Sequence, residues 1–212
     1  ITEAYGLTES SPGVCANPLG TPWNGAIGLP FPSTEVSIRN DDFRELPVWT
    51  GEDDVERHTG EICVRGPQVM KGYWNNPEET AKVLRDGWLM TGDVGHMDSK
   101  GYVTLTDRKK EMILVSGFNV YPNEIEGVVA THPGVLECGV VGVPDPKSGE
   151  AVKVFVVKKD PGLTREDVIE HCKAHLTGYK LPRQVEFIEL LPKSPIGKVL
   201  RRELRDGPSK DG

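Results

Sequence analysis

Near the C-terminus the chain reads LPKSPIGKVLRREL, which places Lys198 directly after Gly197 and just past a Pro/Ser/Pro cluster. A lysine on such a turn is placed for reach, not for packing. Its flexible ammonium suits a phosphate, or negative charge that develops during acyl or phosphoryl transfer. At the other end, EAYGLTES sets Thr8 and Glu9 side by side in a loop. A hydroxyl beside a carboxylate can hold a phosphate and its Mg²⁺, which takes one or two carboxylates plus phosphate oxygens. Gly6 lets backbone approach a ligand. Taken alone, the stretch is more commonly a helix cap or a plain turn.

Three further stretches carry reactive types. In GWLMTGDVGHMD, Asp93 follows Thr91 and Gly92. A carboxylate on a glycine turn can accept from two vicinal hydroxyls, as in ribose recognition, although an ordinary β-turn with Asp is the more frequent meaning of the tripeptide. In TDRKKEMILVSGFNVYP, Arg108 can reach a phosphate or a ribose. Lys109 and Lys110 are solvated or form a linker between two domains. Gly117 follows a strand where a side chain would obstruct a close ligand; a solvated turn with a bulge glycine is the plainer alternative. EHCKAH puts His171 and His175 at a spacing that can bind Zn²⁺. No acidic residue stands in the HExxH position and no third ligand is evident, so a polar surface face is the preferred reading.

The elements that must position these residues fall in two parts. Up to about Asp107 the chain is rich in Gly and Pro, and its apolar runs TEVSIRN, GEICVRG and GYVTLTD are short. They predict short strands joined by turns in a small sheet or barrel, with one helix at PEETAKVLRDG between a Pro start and a Gly stop. From Lys110 onward, MILVSG, VLECGVVGVPD, EAVKVFVVKKD and QVEFIEL predict strands. YPNEIEGVVATHPG predicts a helix with Ile125, Val128 and Val129 on one face. LTREDVIEHCKAHLTGYK predicts another, opened by a capping box of Thr164 and Asp167 with Gly178 just past its end. The order strand, helix, strand, strand, helix, strand describes a compact α+β domain, and the strand pairing is not legible.

The 212 residues fit one large domain or two modest ones, and a 37% hydrophobic content supports a packed core. A net charge of −7 argues against a nucleic-acid partner and leaves room for a local anion site. Cys15, Cys63, Cys138 and Cys172 are widely spaced, with no CxxC pair; Cys63 and Cys138 sit inside apolar runs and read as small core residues, and a reducing compartment is the simpler setting. No apolar run reaches the length of a membrane span and no signal peptide opens the chain. The chain begins at Ile1 and not at Met, and is read as a piece of a longer protein.

The set YGLTES, TGDVG, DRKKEMILVSGFNVYPNEIE and LPKSPIGKVLRREL, in this order, resembles the adenylate-forming acyl-CoA synthetase superfamily, and most of all its bacterial long-chain fatty-acid–CoA ligases. The resemblance runs from Glu3 to about Arg205. It implies an α+β architecture: residues 1–109 as the β-rich end of a large adenylate-binding domain, and 110–212 as a mobile C-terminal domain. It implies a ligase that makes acyl-AMP from a fatty acid and ATP with Mg²⁺, then passes the acyl group to coenzyme A. By position, Tyr5 resembles the adenine-stacking residue, with Gly6 in the same loop. Thr8 resembles the phosphate hydroxyl and Glu9 the Mg²⁺ ligand. Asp93 resembles the ribose carboxylate, Arg108 the ribose- and phosphate-contacting arginine, and Lys110 the hinge. Gly117 resembles the glycine along the pantetheine path, and Lys198 the adenylation lysine. Many relatives carry a lysine where this chain has Leu114, a subfamily mark. The family's Ser/Thr/Gly-rich phosphate loop and acyl pocket belong to an N-terminal part outside these residues, so the chain alone is expected to make no thioester. A cytoplasmic enzyme follows, and peripheral association with the inner membrane is compatible with the family, though no amphipathic basic helix is obvious. The rivals are a carboxylate-adenylating enzyme with an acceptor other than coenzyme A and a non-catalytic binding module.

Overall fold

The computed structural model describes residues 2–195 and 197–206. The chain divides into two compact units, Ile1–Lys110 and Glu111–Gly212.

The first unit holds two antiparallel sheets. The smaller joins β1 (Ala4–Gly6), β2 (Gly13–Ala16) and β3 (Leu29–Pro30) in that order. The larger joins β4 (Glu35–Arg39), β5 (Gly60–Arg65), β6 (Leu84–Arg85), β7 (Trp88–Met97) and β8 (Val103–Arg108). Its order is β4-β5-β7-β6, with β8 also on β7. Val14, Cys15, Ile38, Ile62, Val64 and Val103 form the core. The three strands expected from the short apolar runs are β4, β5 and β8. The expected helix is shorter than its sequence pattern. Asn76 caps α1 (Pro77–Val83) by accepting from the Glu79 N–H at 3.2 Å, and the helix stops before LRDGW. Asp86 and Gly87 both have positive φ, 52° and 79°, and join β6 to β7 as a two-residue turn. That backbone hand matches the strand twist, and Asp-Gly supplies it cheaply.

The second unit is α+β. A hairpin of β9 (Ile113–Val115) and β10 (Phe118–Val120) leads into α2 (Pro122–Ala130), then β11 (Val135–Asp145), β12 (Gly149–Lys158), α3 (Arg165–Lys173), β13 (Gln184–Phe187) and α4 (Arg201–Asp206). The strand β12 pairs antiparallel with β11, parallel with β13, and with β9 at Gly149–Val115. Both faces of this sheet are covered, which explains the unbroken apolar runs in β11 and β12. Val140, Val154 and Val156 pack with Ile125 and Val129 of α2 and Val168 and Cys172 of α3. The alternate residues Val141, Phe155 and Val157 pack with Leu191, Val199 and Leu204. The capping box forms as expected: Thr164 Oγ1 accepts from the Asp167 N–H, and the Asp167 carboxylate accepts from the Thr164 N–H. The helix ends at Lys173, and Gly178 opens a separate 3₁₀ turn.

Candidate active site

Asp93 does not lie on a turn between elements. It lies on a bulge in the central strand β7. Cys63 of β5 faces Met90 and Glu61 faces Val94, so Thr91, Gly92 and Asp93 stand opposite Ile62 alone. Gly92 takes φ of 71°, which a glycine adopts without penalty. The Thr91 hydroxyl donates to the Ile62 carbonyl at 2.7 Å and accepts from the Asp93 N–H at 3.1 Å. Glu61 Oε1 accepts from the Gly92 N–H at 3.0 Å. The bulge is therefore held on both sides and aims the Asp93 carboxylate.

That carboxylate is buried, with 6% of its side chain exposed. Its Oδ2 accepts from the Tyr5 hydroxyl at 2.6 Å, and its Oδ1 lies 3.2 Å from Arg108 Nε. Arg108 is its direct partner across β7 and β8. A carboxylate offers about four lone-pair directions, so two partners leave acceptor capacity for ligand hydroxyls. Burial, and then the hydrogen bond to Asp93, push the Tyr5 phenol above its usual pKa, so it stays a donor. Lys109 is not simply solvated. Its ammonium bridges Asp41 at 2.8 Å and Glu61 at 3.0 Å. Burial opposes its charge, and the hydrogen bonds to Asp41 and Glu61 outweigh this and raise its pKa. Lys110 follows as the last residue of the first unit.

Thr8 and Glu9 share a 3₁₀ turn, Thr8–Ser10. The buried Ser10 hydroxyl accepts from the Leu7 N–H at 3.0 Å and donates to the Pro12 carbonyl at 2.6 Å, which fixes the turn. Thr8 is exposed. Glu9 Oε1 accepts from the Tyr73 hydroxyl at 2.8 Å, and the Glu9 carbonyl accepts from the Met70 N–H at 2.8 Å. At Gly6 a Cβ would stand 1.7 Å from the Pro12 carbonyl oxygen, so the backbone that comes close there is the chain's own. Among the described residues, no three His, Cys, Asp or Glu side chains form a metal-holding group. A lone Glu9 fits Mg²⁺ carried in on phosphates and does not fit a protein-only cage. His171 lies on α3 and His175 beyond its end; the His171 ring nitrogen Nε2 lies 3.1 Å from the Val128 carbonyl.

In the second unit, Ser116 and Gly117 form the two-residue turn of the β9–β10 hairpin, with φ of 51° and 86°. Gly117 is thus a turn glycine and not a bulge, and nothing lies within 4 Å of the place a Cβ would occupy. Lys198 closes a small loop. Lys193 and Val199 bridge at its base. The Ser194 N–H donates to the Lys198 carbonyl at 2.8 Å, and the Lys198 N–H donates to Ser194 Oγ at 3.2 Å. Gly197 takes φ of 82°. The Lys198 backbone is fixed and its side chain is exposed.

Tyr5, Asp93 and Arg108 are thus in direct contact, and Thr8 and Glu9 share one turn. Gly117 and Lys198 sit on two separate loops of the second unit. Sequence reasoning missed Glu61, Thr91 and Tyr73. Of these, Thr91 alone carried a local signal, its place in the TGD tripeptide.

A buried carboxylate held by a phenol and a guanidinium can still accept from ligand hydroxyls, and an exposed lysine on a glycine turn can meet a phosphate. The profile of the AMP-binding enzyme family matches residues 1–74, and that of the AMP-binding enzyme C-terminal domain matches residues 124–198. The chain belongs to this family of adenylate-forming enzymes. It is 56% identical over 207 residues to a long-chain-fatty-acid–CoA ligase of Escherichia coli O6:H1, covering 97% of this chain and 36% of that one. It therefore spans about a third of the length of the curated relatives it matches. Among solved structures, ATP-bound MatB from Rhodopseudomonas palustris matches with a TM-score of 0.86 and 36% identity, over 97% of this chain and 40% of that one. The amide bond synthetase McbA from Marinactinospora thermotolerans matches with a TM-score of 0.81 and 40% identity, over 96% and 40%.

Proposed function

We propose that this chain is the nucleotide-edge and C-terminal part of a long-chain fatty-acid–CoA ligase. The observation that carries this is the 56% identity to the E. coli ligase over 97% of the chain. In the proposed first step a fatty-acid carboxylate oxygen bonds to the α-phosphorus of ATP, and pyrophosphate leaves. In the second step the coenzyme A thiol sulfur bonds to the acyl carbon, its proton is lost, and AMP leaves.

The Tyr5 ring packs on adenine while its hydroxyl holds Asp93. Asp93 accepts from the ribose hydroxyls, and Arg108 sits beside it toward the phosphate. Thr8 donates to phosphate, and Glu9, oriented by Tyr73, would hold Mg²⁺. That ion, when bound, neutralises phosphate charge. The Lys198 ammonium contacts the carboxylate and α-phosphate as charge builds there. Lys110 is the hinge between residues 1–109, the end of the large domain, and the mobile domain 110–212. The second step then takes Lys198 away and brings the Gly117 turn to the thiol arm. The fatty-acid pocket lies in the protein's N-terminal part, so the 212-residue chain alone makes no thioester.

Among the described residues no helix is long and apolar enough to cross a membrane. The proposed setting is the cytoplasm, with peripheral contact to the inner membrane compatible with a lipid substrate. The similarity to an amide bond synthetase favours one second reading, the same adenylation with an amine acceptor in place of coenzyme A. Both are tested by a full-length ligase in which this chain replaces the corresponding part of the E. coli enzyme. Fatty acid, ATP and coenzyme A should give thioester, AMP and pyrophosphate. With an amine supplied beside coenzyme A, pyrophosphate release with amide as the product, and no thioester, would favour the second reading. No fatty-acid-dependent pyrophosphate release would refute both.

A further inference from the structure

Arg201 follows Lys198 by three residues and, among the described residues of the second unit's C-terminal segment, is the most heavily engaged cation. Its side chain is 13% exposed. Nε lies 3.0 Å from Glu126 Oε1 and Nη2 lies 2.7 Å from Glu126 Oε2, a bidentate pair with α2. Nη1 lies 3.1 Å from Glu111 Oε2, and Nη2 also reaches Asn123 Oδ1. Glu126 Oε1 in turn accepts from the Val140 N–H at 2.8 Å, which ties the cluster to β11. Glu111 is the residue directly after Lys110.

Such a cluster is a poor device for stability alone. Withdrawing an arginine and two carboxylates from water costs much of what their attraction returns, and a well-packed apolar group would serve as well. What the planar fork supplies is fixed geometry, because two parallel hydrogen bonds to one carboxylate allow little rotation. The rest of the segment is anchored in the same sense. Leu200 N–H donates to the Pro192 carbonyl at 2.9 Å, and Val199 and Leu204 pack on the sheet over Gly139.

We propose that Arg201 is a positioning residue for Lys198. It locks the Lys198 loop to α2 and to Glu111, so the loop keeps a fixed place relative to the first residue after the hinge. Any rotation at Lys110 then carries the ammonium to one defined position, and the loop does not swing independently. The inference rests on the role given to Lys198 under the proposed function.

The test uses the full-length ligase carrying this chain, with Arg201→Ala, Arg201→Lys, Glu111→Gln and Lys198→Ala. Pyrophosphate release from fatty acid and ATP reads the first step, and thioester formation from pre-made acyl-AMP and coenzyme A reads the second. Arg201→Ala is expected to lower kcat of the first step by about 10- to 100-fold, the cost of roughly an ångström of misplacement. The KM for ATP and the second step should stay near wild type. Arg201→Lys should not restore the rate, since an ammonium cannot make the fork. Glu111→Gln keeps the bidentate pair and should show a smaller loss with the same selectivity; it decides the matter if Arg201→Ala does not fold. Equal losses in both steps, or no loss in either, would overturn the inference while the Lys198 reading stands. If Lys198→Ala spares the first step, that reading falls and this inference falls with it.

Discussion

Replacing Tyr5 with Phe removes one hydroxyl and keeps the ring. The hydroxyl donates at 2.6 Å to a carboxylate whose side chain is 6% exposed, so solvent cannot easily supply a substitute donor. A hydrogen bond to a charged group contributes about 1.5–3 kcal/mol, so the expected loss is about 2 kcal/mol. For a unit of this size each kcal/mol moves the midpoint by about 4 °C, which gives a fall of about 8 °C in the melting of the first unit at pH 7. The same bond predicts a pH dependence. Burial, and then the bond to Asp93, raise the folded-state pKa of Tyr5 above the model-peptide value of about 10. Above that pH the unfolded chain releases the proton and the folded chain keeps it. The contribution is therefore complete below pH 10 and is lost as pH rises further. Thermal melting of the 212-residue chain, followed by circular dichroism at pH 7 and at several values from 9 to 11, should show a steep alkaline decline in the wild type. Tyr5→Phe should lower the midpoint at pH 7 and flatten that decline. A midpoint at pH 7 unchanged to within about a degree, with the same alkaline slope, would refute the Tyr5–Asp93 contact.

Two further outcomes are expected of the same chain. At Gly139 a Cβ would lie 2.8 Å from Leu204 Cδ1, 3.3 Å from Leu191 and 3.4 Å from Val199. Gly139→Val should cost about 1–3 kcal/mol by pushing α4 off the sheet, whereas Gly139→Ala should be milder because the Leu204 tip can turn away; equal melting of wild type and Gly139→Val would contradict this. Burial pushes the thiols of Cys15, Cys63 and Cys138 up to about 12 and that of Cys172 to about 11. A disulfide-exchange reagent at pH 8 should therefore label them slowly in the native chain and quickly in guanidinium. Rapid native labelling of any one would show that its surroundings open.

Local signals were legible and long-range ones were not. The Thr164–Asp167 box, three residues apart, could be read directly and formed as written. The Asp86-Gly87 turn was equally local, but the helical pattern before it masked it. The strand β7 was invisible because its glycines read as turns. Gly95 is glycine because a Cβ there would stand 2.2 Å from the Thr104 carbonyl oxygen on the adjacent strand. The parallel pairing of β13 with β12 has no local signature. In the site, the residues named in advance were found through their order in a family pattern. Their supports were hidden by distance along the chain: Glu61 lies 31 residues from Gly92, Tyr73 lies 64 from Glu9, and Arg201 lies 90 from Glu111.

The central claim is that Lys198 serves the formation of acyl-AMP and not its consumption. In the full-length ligase carrying Lys198→Ala, thioester formation should be lost when the substrates are fatty acid, ATP and coenzyme A. It should persist when acyl-AMP and coenzyme A are supplied directly. Survival of the first activity would make Lys198 an ordinary surface lysine and contradict the account.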